Sequence, residues 1–150
     1  MSQNLGGAAH LVLRVGAGVL FLQHGLQKFF GTLGGLPDGP VPLVSLLGVA
    51  GLLELVGGVL LIAGLLTRPV AVVLAIEMVA AYFIAHVPQG GWPIQNQGEL
   101  ALLYAAIFLF LAGNGAGPVS LDAWVAATSL AERRQAMTDR RRHGFSPVGA

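Results

Sequence analysis

Four apolar runs decide what this chain can become. Residues 8–30, 43–66, 69–87 and 99–113 are built mainly from Leu, Val, Ile, Ala, Phe and Gly. At about 1.5 Å per helical residue, runs of this length cross, or nearly cross, about 30 Å of hydrocarbon. Lipid offers backbone N–H and C=O groups no partner, so such runs must satisfy themselves as helices. The composition agrees, with 55% hydrophobic and only 10% charged residues over 150 positions, too little charge for a domain held in water. The expected fold is an all-α integral membrane protein. A four-helix transmembrane bundle would occupy residues 1–118, and a C-terminal interfacial amphipathic helix with a basic tail would occupy 119–150.

The breaks between runs are as informative as the runs. Residues 31–42 (GTLGGLPDGPVP) and 88–98 (PQGGWPIQNQG) carry too many Gly and Pro residues for helix and read as loops. Thr67-Arg68-Pro69 reads as a tight turn, with Pro69 in the first turn of the next helix, where a missing N–H costs nothing. Gly115 to Pro118 ends the fourth run. Ser120 can cap a new helix, with Asp122 in its first turn, and Leu121, Trp124, Val125 and Thr128 share one face at helical spacing. That face predicts a helix lying in the membrane interface. The tail from about 144 on reads as a disordered Gly/Ser/Pro segment.

Charge placement sets the orientation. Arg133, Arg134, Arg140, Arg141 and Arg142 follow the fourth run, and Arg68 sits between the second and third. An even number of spans gathers these on one side with both termini, and that side is expected to be cytoplasmic. Residues 1–9 hold no Lys or Arg, and Arg14 interrupts the apolar stretch, so the first run is expected to stay in the mature protein rather than leave as a signal peptide. The net charge of +1 gives no reason to expect nucleic acid as a partner, and zero Cys exclude a Cys-held metal or iron–sulfur site in this chain.

Polar residues inside the runs are the candidates for chemistry, because charge facing lipid is expensive. At about 100° per residue, Arg14, Ala17, Gly18, Phe21, His24, Gly25 and Lys28 form one stripe of the first helix. Depth arithmetic places Arg14 about 9 Å and Glu77 about 12 Å from the cytoplasmic edge, with Glu54 near the midplane. An inner Arg14–Glu77 layer is therefore expected, with Glu54 just beyond it. It reads equally as a structural ion pair or as a proton-accepting or quinone-headgroup site. His24, Gln27, Lys28, His86 and Glu99 form an outer layer, with interfacial snorkelling as the plain alternative for Lys28 and His86. Two His at matching depth with no third ligand argue against haem or another metal.

These residues together resemble the DoxX family. The matching motifs are Arg14, His24, Gly25, Gln27, Lys28, Phe29, Phe30 and Gly31 in the first run, and Gly51, Glu54, Leu55, Gly57 and Gly58 in the second. They continue with Gly64, Leu65, Thr67 and Arg68, then Glu77-Met78, His86, Gly98-Glu99-Leu100, and Gly115, Gly117, Ser120, Leu121 and Asp122. The resemblance covers about residues 10–125 and implies a small four-span bacterial inner-membrane protein associated with redox complexes. It carries over Arg14, His24, Lys28, Glu54, Glu77, His86 and Glu99 as candidate ligand-binding residues. Quinone is the cofactor it implies. The lipid bilayer, soluble or membrane redox proteins and a second copy of the chain are the partners to consider. The reading of the residues leaves three roles open: a quinone-linked redox subunit, a non-redox binding or transport protein for a lipid or small molecule, and a structural scaffold.

Overall fold

The computed structural model describes residues 2–37 and 39–143. Six helices follow one another: α1 (Ser2–Phe30), α2 (Leu46–Ala63), α3 (Thr67–Ala81), α4 (Pro93–Asn96), α5 (Glu99–Asn114) and α6 (Leu121–His143). A π turn (Tyr82–His86) and a 3-10 turn (Val87–Gln89) extend α3, and no strand occurs among the described residues. The helices α1, α2 and α3 with its extension are long and apolar enough to cross a membrane; α5 is equally apolar but shorter, at 16 residues. The expectation for residues 144–150, and the side chains of Arg141 and Arg142, lie outside the described residues.

α1 and α2 pack antiparallel as one pair, and α3 and α5 as another. Glycine permits the first pairing. A Cβ on Gly25 would lie 2.8 Å from the Gly51 carbonyl oxygen, and one on Gly58 2.9 Å from that of Gly18. Gly18 and Gly25, like Gly51 and Gly58, are seven residues apart, so the same face returns every two turns. The two pairs close on an aromatic centre in which the Phe21 ring lies 4.9 Å from that of Phe108 and 5.3 Å from that of Tyr104. Leu61, Leu74 and Leu111 complete the buried core. Outward, Val12, Leu20, Val56, Val59, Ile76, Phe83, Leu103 and Leu109 are exposed, an apolar girdle suited to hydrocarbon and not to water.

Several boundaries differ from the sequence expectation, each for a local reason. α1 starts at Ser2 rather than near residue 8, because two glycines cost a helix only about 1 kcal/mol each and no proline intervenes. α2 starts at Leu46, where Ser45 caps it by accepting the Gly48 N–H at 3.0 Å. It ends at Gly64, whose φ of +67° is the left-handed conformation glycine adopts freely. α6 is longer than one interfacial face requires. Leu121, Trp124 and Val125 are exposed on one side, while Leu130 and Met137 fall on the other. Ser120 caps α6 as expected, accepting the Ala123 N–H at 3.1 Å.

Candidate functional site

The polar residues gather at the two ends of the bundle, and each end treats them differently. At the end holding the α2–α3 turn, they satisfy backbone. Arg14 is 1% exposed. Its guanidinium donates to Leu61 O at 2.5 Å, Ile62 O at 3.0 Å and Val119 O at 2.7 Å, tying the C-terminal end of α2 to the segment before α6. A Cβ on Gly64 would sit 2.5 Å from the Arg14 guanidinium, so the glycine also makes the approach possible. Asp122 closes the same turn by accepting the N–H groups of Leu66 at 2.8 Å and Thr67 at 3.0 Å. The α3 cap is thus supplied from the start of α6. His10 Nε2 donates to Gly115 O at 2.9 Å, and Arg68 donates to Ala112 O at 3.2 Å, covering the end of α5.

The expected Arg14–Glu77 layer therefore does not form. Arg14 meets carbonyl oxygens instead, because the end of α2 and the segment before α6 bring three acceptors to it. The buried ion pair is Lys28–Glu54, with Nζ to Oε1 at 2.5 Å and side chains 17% and 4% exposed. Gly51, one turn before Glu54, opens the way: its Cβ would lie 3.2 Å from Lys28 Cβ.

At this second end, where the loops lie, a cavity of about 310 Å³ opens beside the pair. Phe21, His24, Lys28, Glu54, Met78, Ala81, His86, Ala101 and Tyr104 wall it, and the exposed Leu47, Gln97 and Leu100 form its rim. His24 stands edge-on to Phe21 and to Tyr104, with ring centres 6.3 Å apart in each case. Glu54 Oε2 and both Glu77 carboxyl oxygens are buried without a hydrogen-bond partner. Three carboxyl oxygens with unused accepting capacity beside one lysine form an imbalance that a proton or a donor-bearing ligand would relieve. No group of three or more His, Asp or Glu is placed to hold a metal ion among the described residues.

The structure thus brings four of the sequence candidates, His24, Lys28, Glu54 and His86, to one cavity, and Glu77 is not among the residues that line it. Arg14 is at the opposite end, and Glu99 is exposed at the start of α5. Sequence reasoning missed Tyr104 and Asn96. Tyr104 carries a hydroxyl in an otherwise apolar helix, a signal available in the sequence. Asn96 is 1% exposed in what reads as a polar loop; Pro93 and Gly98, a helix-start residue and a stop, marked the short α4 around it.

Comparison with known proteins agrees with the motifs. The DoxX family profile matches residues 9–87. An uncharacterized protein of Haemophilus influenzae is 45% identical over 117 residues, covering 73% of this chain and 85% of that protein. Putative oxidoreductase CatD of Bacillus subtilis is 34% identical over 117 residues, covering 77% and 85%. The membrane protein Rv3486 of Mycobacterium tuberculosis is 30% identical over 132 residues, covering 75% and 78%. No solved structure matches the chain.

Proposed function

This chain belongs to the DoxX family of membrane proteins, and on that premise we propose that it is the membrane subunit of a quinone-linked redox complex. The observation that carries the reading is the cavity at the loop end, with the Lys28–Glu54 pair at its inner end and His24, His86 and Tyr104 on its walls. Its size and its aromatic walls suit a planar ring of quinone size, and the unpartnered Glu54 and Glu77 oxygens suit a group that exchanges protons. The name of the B. subtilis relative, a putative oxidoreductase, points the same way.

A bound quinone would supply a couple of two electrons and two protons. The chain's own share is narrower. Phe21 and Tyr104, packed on each other, would offer the ring one aromatic wall, and Lys28 holds Glu54 in place. Were a quinol oxidised there, Glu54 or Glu77 would accept one of its two protons, the other leaving at the loop end, and its two electrons would pass to a partner redox protein. Glu54→Gln should abolish quinone-linked turnover in a protein that still folds; unchanged turnover would remove Glu54 from the role.

In this reading α5 is the fourth span, residues 1–118 form the transmembrane domain, and α6 lies along the interface before the basic tail. Arg68, Arg133, Arg134 and Arg140 then share the cytoplasmic side of a bacterial inner membrane, with both chain ends there. The exposed apolar rim residues Leu47 and Leu100 favour a second reading, in which the cavity holds a lipid without redox chemistry. Mass spectrometry of the bound material separates the two.

A further inference from the structure

His86 stands where α3 loses its α-helical spacing. Pro88 has no N–H, and its ring crowds the carbonyl four residues back. The helix widens over Tyr82–His86, and the Val87 N–H bonds to Tyr82 O. The imidazole there reaches the short α4, with Nδ1 3.0 Å from the backbone oxygen of Asn96. A carbonyl oxygen only accepts, so Nδ1 carries the hydrogen, and in the neutral ring Nε2 is left as an acceptor.

The Asn96 oxygen is itself held in place. Asn96 Nδ2 donates to Gly90 O at 2.8 Å, and its Oδ1 accepts the Gly98 N–H at 2.9 Å. A Cβ on Gly98 would lie 2.6 Å from the Tyr82 ring and 2.7 Å from Asn96 Oδ1. Tyr82 stacks beneath His86, with ring centres 6.3 Å apart and planes 25° apart. The imidazole is thus fixed on one face and at one nitrogen. The other nitrogen is what His86 can offer the cavity it lines.

We propose that His86 makes this cavity selective for ligands that present a hydroxyl, a phenol or a hydroquinone, over the same ring bearing only carbonyl or ether oxygens. The inference rests on the ring-binding reading above and names the form of the ring that is held more tightly. An acceptor-only oxygen set against Nε2 leaves both atoms unpartnered. Lys28 does not relieve this at Nε2: it gives one hydrogen to Glu54, and its other two can serve only a ligand oxygen placed against Lys28 itself. His86 is the specificity-determining residue, and Asn96 is the positioning residue that fixes its tautomer.

The test uses the full chain in lipid nanodiscs with two probes of one ring system, 1-naphthol and 1-methoxynaphthalene, measured against empty nanodiscs. 1-Naphthol should bind about tenfold more tightly, the worth of one hydrogen bond. His86→Phe should erase that ratio by weakening 1-naphthol alone. With histidines labelled in ¹⁵N, the His86 Nε2 resonance should show the unprotonated form and move with 1-naphthol but not with the ether. Asn96→Ala should yield a mixed tautomer and a smaller ratio. Equal affinities, or an Nε2–H tautomer in the native protein, would overturn the selectivity and leave the cavity reading standing. No binding of either probe would overturn both. The tautomer is read on the native chain, so a His86 variant that fails to fold does not shield the proposal.

Discussion

Lys28 passes over Gly51 and sets its Nζ 2.5 Å from Oε1 of Glu54, joining the end of α1 to the middle of α2. The pair is the one charge contact between the two closely packed helices, among the described residues, and it sits at the inner end of the cavity. The proton-accepting role proposed for that cavity depends on this carboxylate being held and half satisfied.

Removing one partner should therefore be far worse than removing both. Lys28→Met leaves a buried carboxylate uncompensated and should cost about 3–5 kcal/mol. Adding Glu54→Gln to that variant should recover a large part of the loss. Unfolding of the two single variants and the double variant in mixed micelles gives the coupling directly; strictly additive costs would mean the pair does not act as a unit.

Glu77 predicts the opposite sign. Both of its oxygens are buried and unpartnered, and such groups destabilise a fold that could hold an apolar side chain there. Glu77→Leu should raise stability by about 1–3 kcal/mol while weakening the proton-linked function proposed here. A loss of stability would mean the carboxyl makes contacts that this geometry does not contain.

The α1–α2 crossing has its own control. Gly25→Ala places a methyl 2.8 Å from the Gly51 carbonyl oxygen and should cost about 1–3 kcal/mol through overpacking. Gly16→Ala meets nothing within 4 Å and should be neutral or stabilise by up to about 1 kcal/mol, as alanine favours helix. Equal effects at the two sites, in the same unfolding assay, would argue against the close packing of these helices.

The turn between α2 and α3 should matter to stability and not to the cavity. Asp122→Ala removes the cap on Leu66 and Thr67 and should cost about 1 kcal/mol. Arg14→Met should cost more, since it removes three hydrogen bonds to carbonyl oxygens, one of them buried. Both variants, once folded, should keep wild-type ligand occupancy. Loss of ligand from a folded Arg14 variant would return Arg14 to the site.

The sequence carries the helices, the loops and most of the cavity wall, because long apolar runs, Gly/Pro clusters and the rarity of buried polar groups are local signals. His24 and His86 were matched in depth from their positions alone, and the structure sets them on one cavity. Pairing was not legible in the same way. Counting from residue 43 places Glu54 near the midplane and Lys28 in the outer layer. With α2 starting at Leu46, Glu54 lies only about 12 Å along it, within reach of two flexible stems directed at each other. Nor could Arg14 be assigned its partners, because carbonyl oxygens at helix ends leave no mark in the sequence. Asn96 acts through its backbone oxygen on His86, a contact set by the widened turn before Pro88 that periodicity does not reveal.

The most direct test of the central claim is an optical spectrum of the detergent-purified protein, with mass spectrometry of the small molecules that remain bound. The account predicts a quinone or its quinol, in near one-to-one amount, lost in a folded Glu54→Gln variant or one with His24 and Tyr104 both replaced. A colourless protein that retains only phospholipid, unaffected by those replacements, would contradict it and leave the cavity to lipid binding.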